Sequence, residues 1–357
     1  MIAKTSTDDV PVRSSEAATE RRGFLGLAGL AGASLATLAA PAAFGAEAQA
    51  PVEAAALSSY PSRRDIAILR FLAAAELIET DLWQQYAELA QGNPRYREAL
   101  EQIDDDLPVY TVDITEDELS HAEFINAYLH AIGAEPVDLD GYRVLASPPV
   151  TGLKPIGRLT NLTDLTVLTG YFRRYQSTRN PDFGASFEQI ATIKDQPAIP
   201  TSNSVGDQAL AGIVRVAAFH FAWVEQGGTS LYDQFVPYVT SREVLRIVSS
   251  IYATEAVHYA IFRDSLNGIT AFHSGDGKLV VPDLTEGRQG SSHVFPKRCR
   301  FLSDQLPTCS VIRPSSTKLA GAQATVTALA ASNLFKGQPP AFLQTLTALA
   351  KAADGVA

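Results

Sequence analysis

The sequence predicts an all-α fold, an up-down-down-up bundle of four helices with a long crossover and a C-terminal extension. Four segments carry apolar residues three and four positions apart, the period of a helix with one buried face. These segments resemble one another in pairs, so the chain contains two helix-pair halves. About a hundred residues separate the halves. With 46% hydrophobic residues among 357, the chain can bury a core, which excludes wholesale disorder.

The chain begins with a segment typical of a secretory signal peptide. A polar start ends in Arg21-Arg22, and residues 23–46 carry no charge and are mostly Gly and Ala. This pattern marks a cleavable signal, and the paired arginines resemble a twin-arginine signal, although Glu20 stands where Ser or Thr is usual. We expect residues 1–45 to be a twin-arginine-type signal peptide that directs the protein to the periplasm or outside the cell. The alternative is an uncleaved membrane anchor.

Three further regions follow the signal. We expect a linker at residues 46–61, one helical bundle at 62–267 and a C-terminal extension at 268–357. No segment after the signal is long and apolar enough to cross a membrane, so we expect no stable membrane insertion after cleavage. The extension begins rich in Gly, Ser and Pro, as in loops and short strands, and ends in two short amphipathic helices, residues 318–333 and 340–353.

Composition limits the chemistry. Lys and Arg number 29 against 39 Asp and Glu, which gives a net charge of −10. Nucleic-acid binding needs a basic face that displaces counterions from phosphates, so we expect no nucleic-acid partner. One Met and two Cys exclude sulfur-rich metal sites. Carboxylates and a few imidazoles must hold any metal.

The first helical segment spans residues 64–91, and a Gly-Asn-Pro run ends it. Glu76 and Glu79 both lie on its apolar face. A carboxylate that faces a core is costly unless something pairs with it. Both residues are therefore candidate ligands.

The second segment, residues 111–132, carries Glu118 and His121 on its apolar face. Thr115 and Glu118 also match the spacing of a capping box, in which Glu118 would begin the helix instead of binding a metal. We favour the ligand interpretation, because His121 would otherwise face the core without a partner.

A long insert separates the halves, with 103 residues between His121 and Glu225. Parallel second and third helices require such a crossover. We expect a helix within it near residues 163–176.

The third segment, residues 207–235, presents Glu225 on its apolar stripe. Gly227 and Gly228 would weaken an isolated helix by about 1 kcal/mol per glycine, so packing must hold it. His220 lies off the face of Glu225, and we expect a surface or core histidine there.

Thr240 and Glu243 predict a capping box that opens the fourth segment, which carries Glu255 and His258 on one stripe. With 18 Glu and 6 His, about 0.3 Glu-x-x-His matches are expected by chance. The chain has two, each within a helical stripe, so both indicate a site.

An internal repeat relates the halves. Setting Glu76 on Glu225 also aligns other pairs: Thr80 with Thr229, Leu82 with Leu231, Trp83 with Tyr232, Gln85 with Gln234 and Tyr86 with Phe235. Glu79 then falls on Gly228. The repeat therefore selects Glu76 as the first ligand and leaves Glu79 as a candidate extra ligand.

Helix geometry explains the repeated pattern. Residues three apart on a helix point the same way, so one helix offers a carboxylate and an imidazole to one ion. Two such helices, with one Glu from each of the other two, can converge on two divalent ions whose charge four carboxylates neutralise. Oxygen and imidazole ligands suit iron or manganese.

The sequence resembles the ferritin-like superfamily, and within it the exported bacterial proteins related to desiccation-related proteins of plants and stress-response proteins of fungi. The resemblance spans roughly residues 62–267 and is carried by four segments, residues 75–83, 117–124, 224–226 and 254–258. It implies a four-helix bundle that holds two iron or two manganese ions. By this resemblance the metal ligands are Glu76, Glu118, His121, Glu225, Glu255 and His258.

Two functional hypotheses follow. In the first, the dinuclear site reacts with peroxide or dioxygen, as a ferroxidase or a catalase-like oxidoreductase in stress protection. In the second, a non-catalytic desiccation- or stress-related protein uses its metals only as a staple. We expect no catalytic residue beyond the metal ligands and no organic cofactor. A homo-oligomer is compatible with the sequence.

The two cysteines, Cys299 and Cys309, lie in the extension. Export to an oxidising compartment favours a disulfide between them. The alternative is two free buried thiols.

Overall fold

The computed structural model describes residues 57–285, 295–313 and 321–355. The predicted signal peptide and most of the predicted linker lie outside the described residues. Within the described ranges, no helix combines the length and the apolarity needed to span a membrane. The described end of the linker lies against the bundle, since the Ser58 N–H donates to the Thr240 carbonyl at 2.8 Å.

Three helices form the first half of the bundle: α1 (Arg63–Gly92), the short α2 (Pro94–Glu101) and α3 (Leu107–Ala131). A capping box begins α1. The Ser62 hydroxyl accepts from the Asp65 N–H at 3.1 Å, and the Asp65 carboxylate accepts from the Ser62 N–H at 2.8 Å. This cap fixes the start of the first helix that carries a predicted ligand.

Helix α3 begins at Leu107, four residues before the predicted start. Pro108 suits the first helical turn, where its missing N–H costs nothing. Thr115 therefore lies inside the helix, and its hydroxyl donates to the Thr111 carbonyl at 2.6 Å. The capping-box alternative for Glu118 is wrong for this reason.

The crossover contains only short elements: β1 (Leu145–Ala146), β2 (Gly157–Arg158), the one-turn α4 (Tyr171–Arg174) and β3 (Thr192–Ile193). The helix predicted at residues 163–176 is wrong except for that turn. The backbone before it bonds to distant segments instead. The Val167 N–H donates to the Ile193 carbonyl at 3.1 Å, and the Thr166 N–H donates to the Ser332 carbonyl at 3.0 Å.

A buried carboxylate of α1 holds the crossover against the bundle. Asp81 accepts hydrogen bonds from the N–H groups of Leu159 and Thr160, at 3.0 and 2.9 Å, and pairs with Arg143 at 2.7 Å. Asp81 is fully buried, and these partners offset the cost of burying its charge.

The second half consists of α5 (Asp207–Phe235) and α6 (Arg242–Ser265). The capping box predicted at Thr240 and Glu243 is wrong, because the N-cap of α6 is Ser241 and makes no side-chain cap bond. The Thr240 hydroxyl donates to Asp65 at 2.6 Å, and Glu243 accepts from the Tyr128 hydroxyl at 2.9 Å. Both residues therefore tie α6 to the first half.

Contacts along the helices establish their directions. Residues early in α1 contact residues late in α5, and the same reversal relates α3 to α6; the contact pairs are Glu76–Tyr232, Tyr86–His220, Asp117–His258 and Tyr128–Glu243. Helices α1 and α3 form a tightly packed pair joined by a short connection. The order is up-down-down-up with α3 parallel to α5, which confirms the predicted all-α bundle.

The extension packs around this bundle. Strands β4 (Phe272–His273) and β5 (Leu279–Val281) join β3 in an antiparallel sheet of order β3-β5-β4. The two terminal helices are α7 (Ala322–Ala331) and α8 (Pro340–Ala353). Helix α8 packs along α1, and α7 contacts α8 and α5. The extension thus belongs to the same folded body as the bundle.

The backbones of Cys299 and Cys309 pair, each N–H donating to the other's carbonyl at 2.9 Å. Both thiols are free in the structure, so the expected disulfide is not formed in it. The alternative of two buried thiols holds only for Cys299, because Cys309 is exposed.

Candidate metal centre

All six predicted ligands meet at the centre of the four helices. They form two clusters, in each of which one ligand atom per residue lies within 4.8 Å of the others. Cluster one is Glu76, Glu118, His121 and Glu255; cluster two is Glu118, Glu225, Glu255 and His258. Glu118 and Glu255 belong to both clusters. Two overlapping sets of four donors suit two neighbouring cations.

Both imidazoles turn the Nδ1 atom towards the carboxylates. His121 Nδ1 lies 3.3 Å from Glu118 Oε2 and 3.4 Å from Glu76 Oε2. His258 Nδ1 lies 3.1 Å from Glu118 Oε1 and 3.2 Å from Glu225 Oε2. The spacing of three residues within each helix produces this convergence.

The centre is buried and rich in negative charge. All six side chains are buried, and the four glutamates are almost completely so. Among the described residues, only the two histidines form ion pairs with these carboxylates. Four buried carboxylates against two imidazoles leave an excess of negative charge, which is costly unless cations or protons neutralise it.

Many of the oxygen and nitrogen atoms that could bind a metal at the centre have no hydrogen-bond partner. Both oxygens of Glu225, both oxygens of Glu255, one oxygen each of Glu76 and Glu118, and Nδ1 of His258 are buried without one. His258 Nδ1 makes ion-pair contacts instead, with Glu118 at 3.1 Å and Glu225 at 3.2 Å. Buried polar atoms normally find partners. Divalent cations among these atoms would satisfy them, so the residues fit a metal site.

Protons are the alternative source of positive charge. Burial raises the pKa of the Glu118 carboxyl to about 8, Glu76 adds to that rise, and His121 and His258 oppose it. Burial disfavours a charged His121, but Glu118 and Glu76 outweigh burial and raise its pKa to about 10. In the same way Glu225 and Glu118 raise the pKa of His258 to about 11. A metal ion that enters must displace these protons.

The pKa values of Glu255 and Glu76 shift in opposite directions. Burial, with the nearby charge of Glu118, raises the pKa of Glu255 well above its ordinary value. Burial also acts on Glu76, but His121, Glu118 and the Tyr232 hydroxyl outweigh it and lower the pKa. Glu76 is therefore the carboxylate of this group that stays ionised most readily.

Asp117 is a site residue that sequence reasoning missed. Its Oδ2 lies 3.0 Å from Nε2 of His258, on the opposite helix of the bundle. A carboxylate behind a ligating histidine fixes the orientation of the ring and keeps Nδ1 free for the metal. The Asp117 side chain is half exposed and does not lie on the buried apolar face of α3. The apolar pattern of the sequence therefore does not indicate its role. Its position directly before Glu118 was the available signal.

Two further neighbours shape the centre. The buried Tyr232 hydroxyl donates to Glu76 Oε1. A Cβ added to Gly228 would clash with Glu255 Oε2, so glycine leaves room for this carboxylate where it lies. The sequence showed Gly228 only as a residue that weakens the helix.

The remaining candidates lie outside the clusters. Glu79 lies beside the clusters but belongs to neither of them. Burial, together with the charge of Glu118, raises the pKa of Glu79 well above its ordinary value. His220 is a fully buried core histidine, 2.9 Å from the Tyr86 hydroxyl, and burial lowers its pKa to about 3. It is therefore no ligand in this arrangement.

Residues 64–268 match the model of a family described as ferritin-like domain. This match covers more than half of the chain and includes every residue of both clusters. No curated protein matches the chain. No solved structure matches it either.

Proposed function

This chain belongs to the ferritin-like domain family, and on that premise we propose that it holds two iron or two manganese ions and reacts with peroxide or dioxygen. The buried carboxylate and imidazole atoms without hydrogen-bond partners support this most directly. Both iron and manganese accept carboxylate and imidazole ligands, so the proposal includes either metal.

In this proposal the two clusters correspond to two metal positions. Glu76 and His121 would serve the first ion, and Glu225 and His258 the second. Glu118 and Glu255 would be held in common. Two adjacent redox-active ions, when bound, supply electrons and share the charge that develops as an O–O bond is reduced.

The protein's own groups position the ligands and handle protons. Asp117 orients His258, and Tyr232 donates to Glu76. The raised pKa of Glu118, about 8, lets this carboxyl keep a proton at neutral pH when no cation is present. The packed apolar core around the clusters limits access of water to the site.

We also propose that the protein acts after export, in protection against oxidative or drying stress. The predicted twin-arginine signal supports this, because that route carries proteins that fold and acquire cofactors before transport. A reaction that consumes peroxide would suit such a setting.

The test uses the purified mature protein loaded with ferrous or manganous ion. We expect oxygen release from peroxide, or oxidation of ferrous ion by dioxygen, faster than with the same metal free in solution. His258→Ala should abolish the reaction. Glu123→Gln, at an exposed position of the ligand-bearing α3, should leave it unchanged.

A protein that binds two ions but reacts with neither oxidant would overturn the redox proposal. That result would favour the alternative in which the metals only staple the bundle.

A further inference from the structure

A cavity of about 310 Å³ lies beside the metal ligands, between α1, α5 and α7. Its walls are mostly apolar and include Ala75, Ile78, Leu82, Trp223 and Leu231. This volume is at the lower end of the range for small-molecule sites, which are typically apolar with a few polar groups. The cavity is large enough for a small organic molecule and too small for a peptide chain.

The inner wall of the cavity adjoins the metal centre. Gly228 lines the cavity, and the space beyond its Cα is filled by the carboxylate of Glu255. Glu79, one helical turn after Glu76, also lines the cavity. A molecule in the cavity would therefore be separated from the ligands by little more than Glu79 and the glycine backbone.

The outer wall comes from the C-terminal extension. Ala324, Thr325, Ala328 and Leu329 of α7 line the cavity, and all lie beyond residues 64–268, the range that matches the family. The four-helix bundle alone does not enclose this space. Part of the cavity wall therefore lies outside the range that matches the family.

One polar atom in the cavity wall lacks a partner. Glu79 Oε2 is buried and makes no hydrogen bond. The Gln226 side-chain amide donates to the Ser230 hydroxyl, and that hydroxyl donates to the Gln226 backbone carbonyl at 2.9 Å. The described residues of the lining include no Lys or Arg, so they offer no counter-charge to a buried anion.

We propose that this cavity binds a neutral, mainly apolar small molecule whose single hydrogen-bonding group meets Glu79. The proposed binding is argued only from the shape and polarity of the cavity. Only the position of the bound molecule beside metal ions rests on the proposed function.

The test measures binding of N-phenyl-1-naphthylamine, a neutral fluorophore that brightens in apolar surroundings, to the purified mature protein. We expect saturable binding of one molecule per chain. Gly227→Leu should weaken it at least about tenfold, or about 1.4 kcal/mol. Gly227 lines the cavity, and a Cβ added there meets nothing within 4 Å, so the new side chain has room.

A second filling variant guards against misfolding of the first. Ala328→Phe adds a large side chain to the cavity wall from α7, at a residue that is partly open to solvent. Ala209→Leu on α5 and Ala331→Phe on α7 are matched controls at exposed positions outside the cavity. Both controls should bind the fluorophore as the wild type does.

Absence of saturable binding, or equal affinity in both filling variants and the wild type, would overturn the cavity proposal. Metal content measured on the same samples separates the two proposals. A protein that binds the fluorophore but no metal refutes only the proposed function, and one that holds two ions but no fluorophore refutes only the cavity site.

Discussion

The two halves of the internal repeat supply the same kinds of ligand but surround them differently. Asp117, directly before Glu118 on α3, contacts Nε2 of His258 on α6. The matching position before Glu255 is Thr254, whose hydroxyl bonds to its own helix at the Ser250 carbonyl. Among the residues that the structure describes, the carboxylate support of His258 thus has no counterpart for His121.

A second contrast lies between α1 and α5. Where α1 has Glu79, α5 has Gly228, which makes room for Glu255. Where α5 has Tyr232, bonded to Glu76, α1 has Trp83, stacked on Phe262 at 5.0 Å. The repeat therefore matches the cluster residues but not their surroundings, and the two clusters are not equivalent.

Exposure follows the same asymmetry. The side chain of His121 is 11% exposed and that of His258 is 3% exposed. The first position is thus nearer to solvent, and we expect its ion to exchange more readily.

The largest expected effect comes from a ligand that both halves share. Glu118→Gln removes a donor from both clusters and should abolish binding of both ions. Glu76→Gln removes a donor from the first cluster only and should leave about one ion per chain. Metal content by mass spectrometry measures both, with Glu123→Gln as control. If Glu118→Gln and Glu76→Gln lose the same number of ions, the separation into two metal positions is contradicted.

The next largest effect comes from Gly228→Ala. Its Cβ would displace Glu255, so affinity for both ions should fall at least about tenfold. Gly227→Ala is the matched control, because its Cβ meets nothing and alanine favours the helix by about 1 kcal/mol. Metal titration and thermal unfolding measure the two effects. If both variants bind metal like the wild type, the requirement for glycine beside Glu255 is refuted.

A smaller effect should come from Asp117→Asn. Loss of the carboxylate behind His258 should weaken the second position by about 10- to 100-fold and leave the first nearly unchanged. Thr254→Ala, the matching change in the other half, should have no effect on metal affinity. Competition with a chelator measures the two affinities. The same response in both variants would show that the halves support their histidines alike.

The smallest effect concerns pH. In the metal-free protein Glu118 has its pKa raised from 4.5 to about 8, and His121 from 6.5 to about 10. A raised pKa means that the folded state keeps the proton where the unfolded chain has lost it, so stability falls as pH rises through this range. We expect the melting temperature of the metal-free protein to fall by a few degrees between about pH 5 and 9.

Metal loading should reverse that trend, since the ions replace the protons and bind better as pH rises. Thermal melts with and without metal at several pH values measure this. A metal-free protein that grows more stable between pH 6 and 9 would show that the buried groups do not hold these protons.

The sequence predicted the features that depend on neighbours within one helix. A carboxylate on an apolar stripe and an imidazole three residues later indicate a ligand pair, and the repeat separated Glu76 from Glu79. The order of the four helices also followed from their stripes and from the long crossover.

Features that depend on partners far along the chain were missed or mistaken. Asp117 acts across the bundle, from α3 to α6, so no stripe shows its role. Thr240 and Glu243 bond to the first half instead of capping α6, and the segment before Tyr171 pairs with distant backbone instead of forming a helix. The cavity depends on α7, whose position against the bundle no local pattern specifies.

The metal content of the purified mature protein, expressed with iron and manganese both supplied, tests the central claim most directly. We predict about two ions of iron or manganese per chain, lost in Glu118→Gln together with a lower melting temperature. A metal-free protein whose melting temperature does not rise on addition of either ion would contradict the account, since a ligand that binds the folded state must stabilise it.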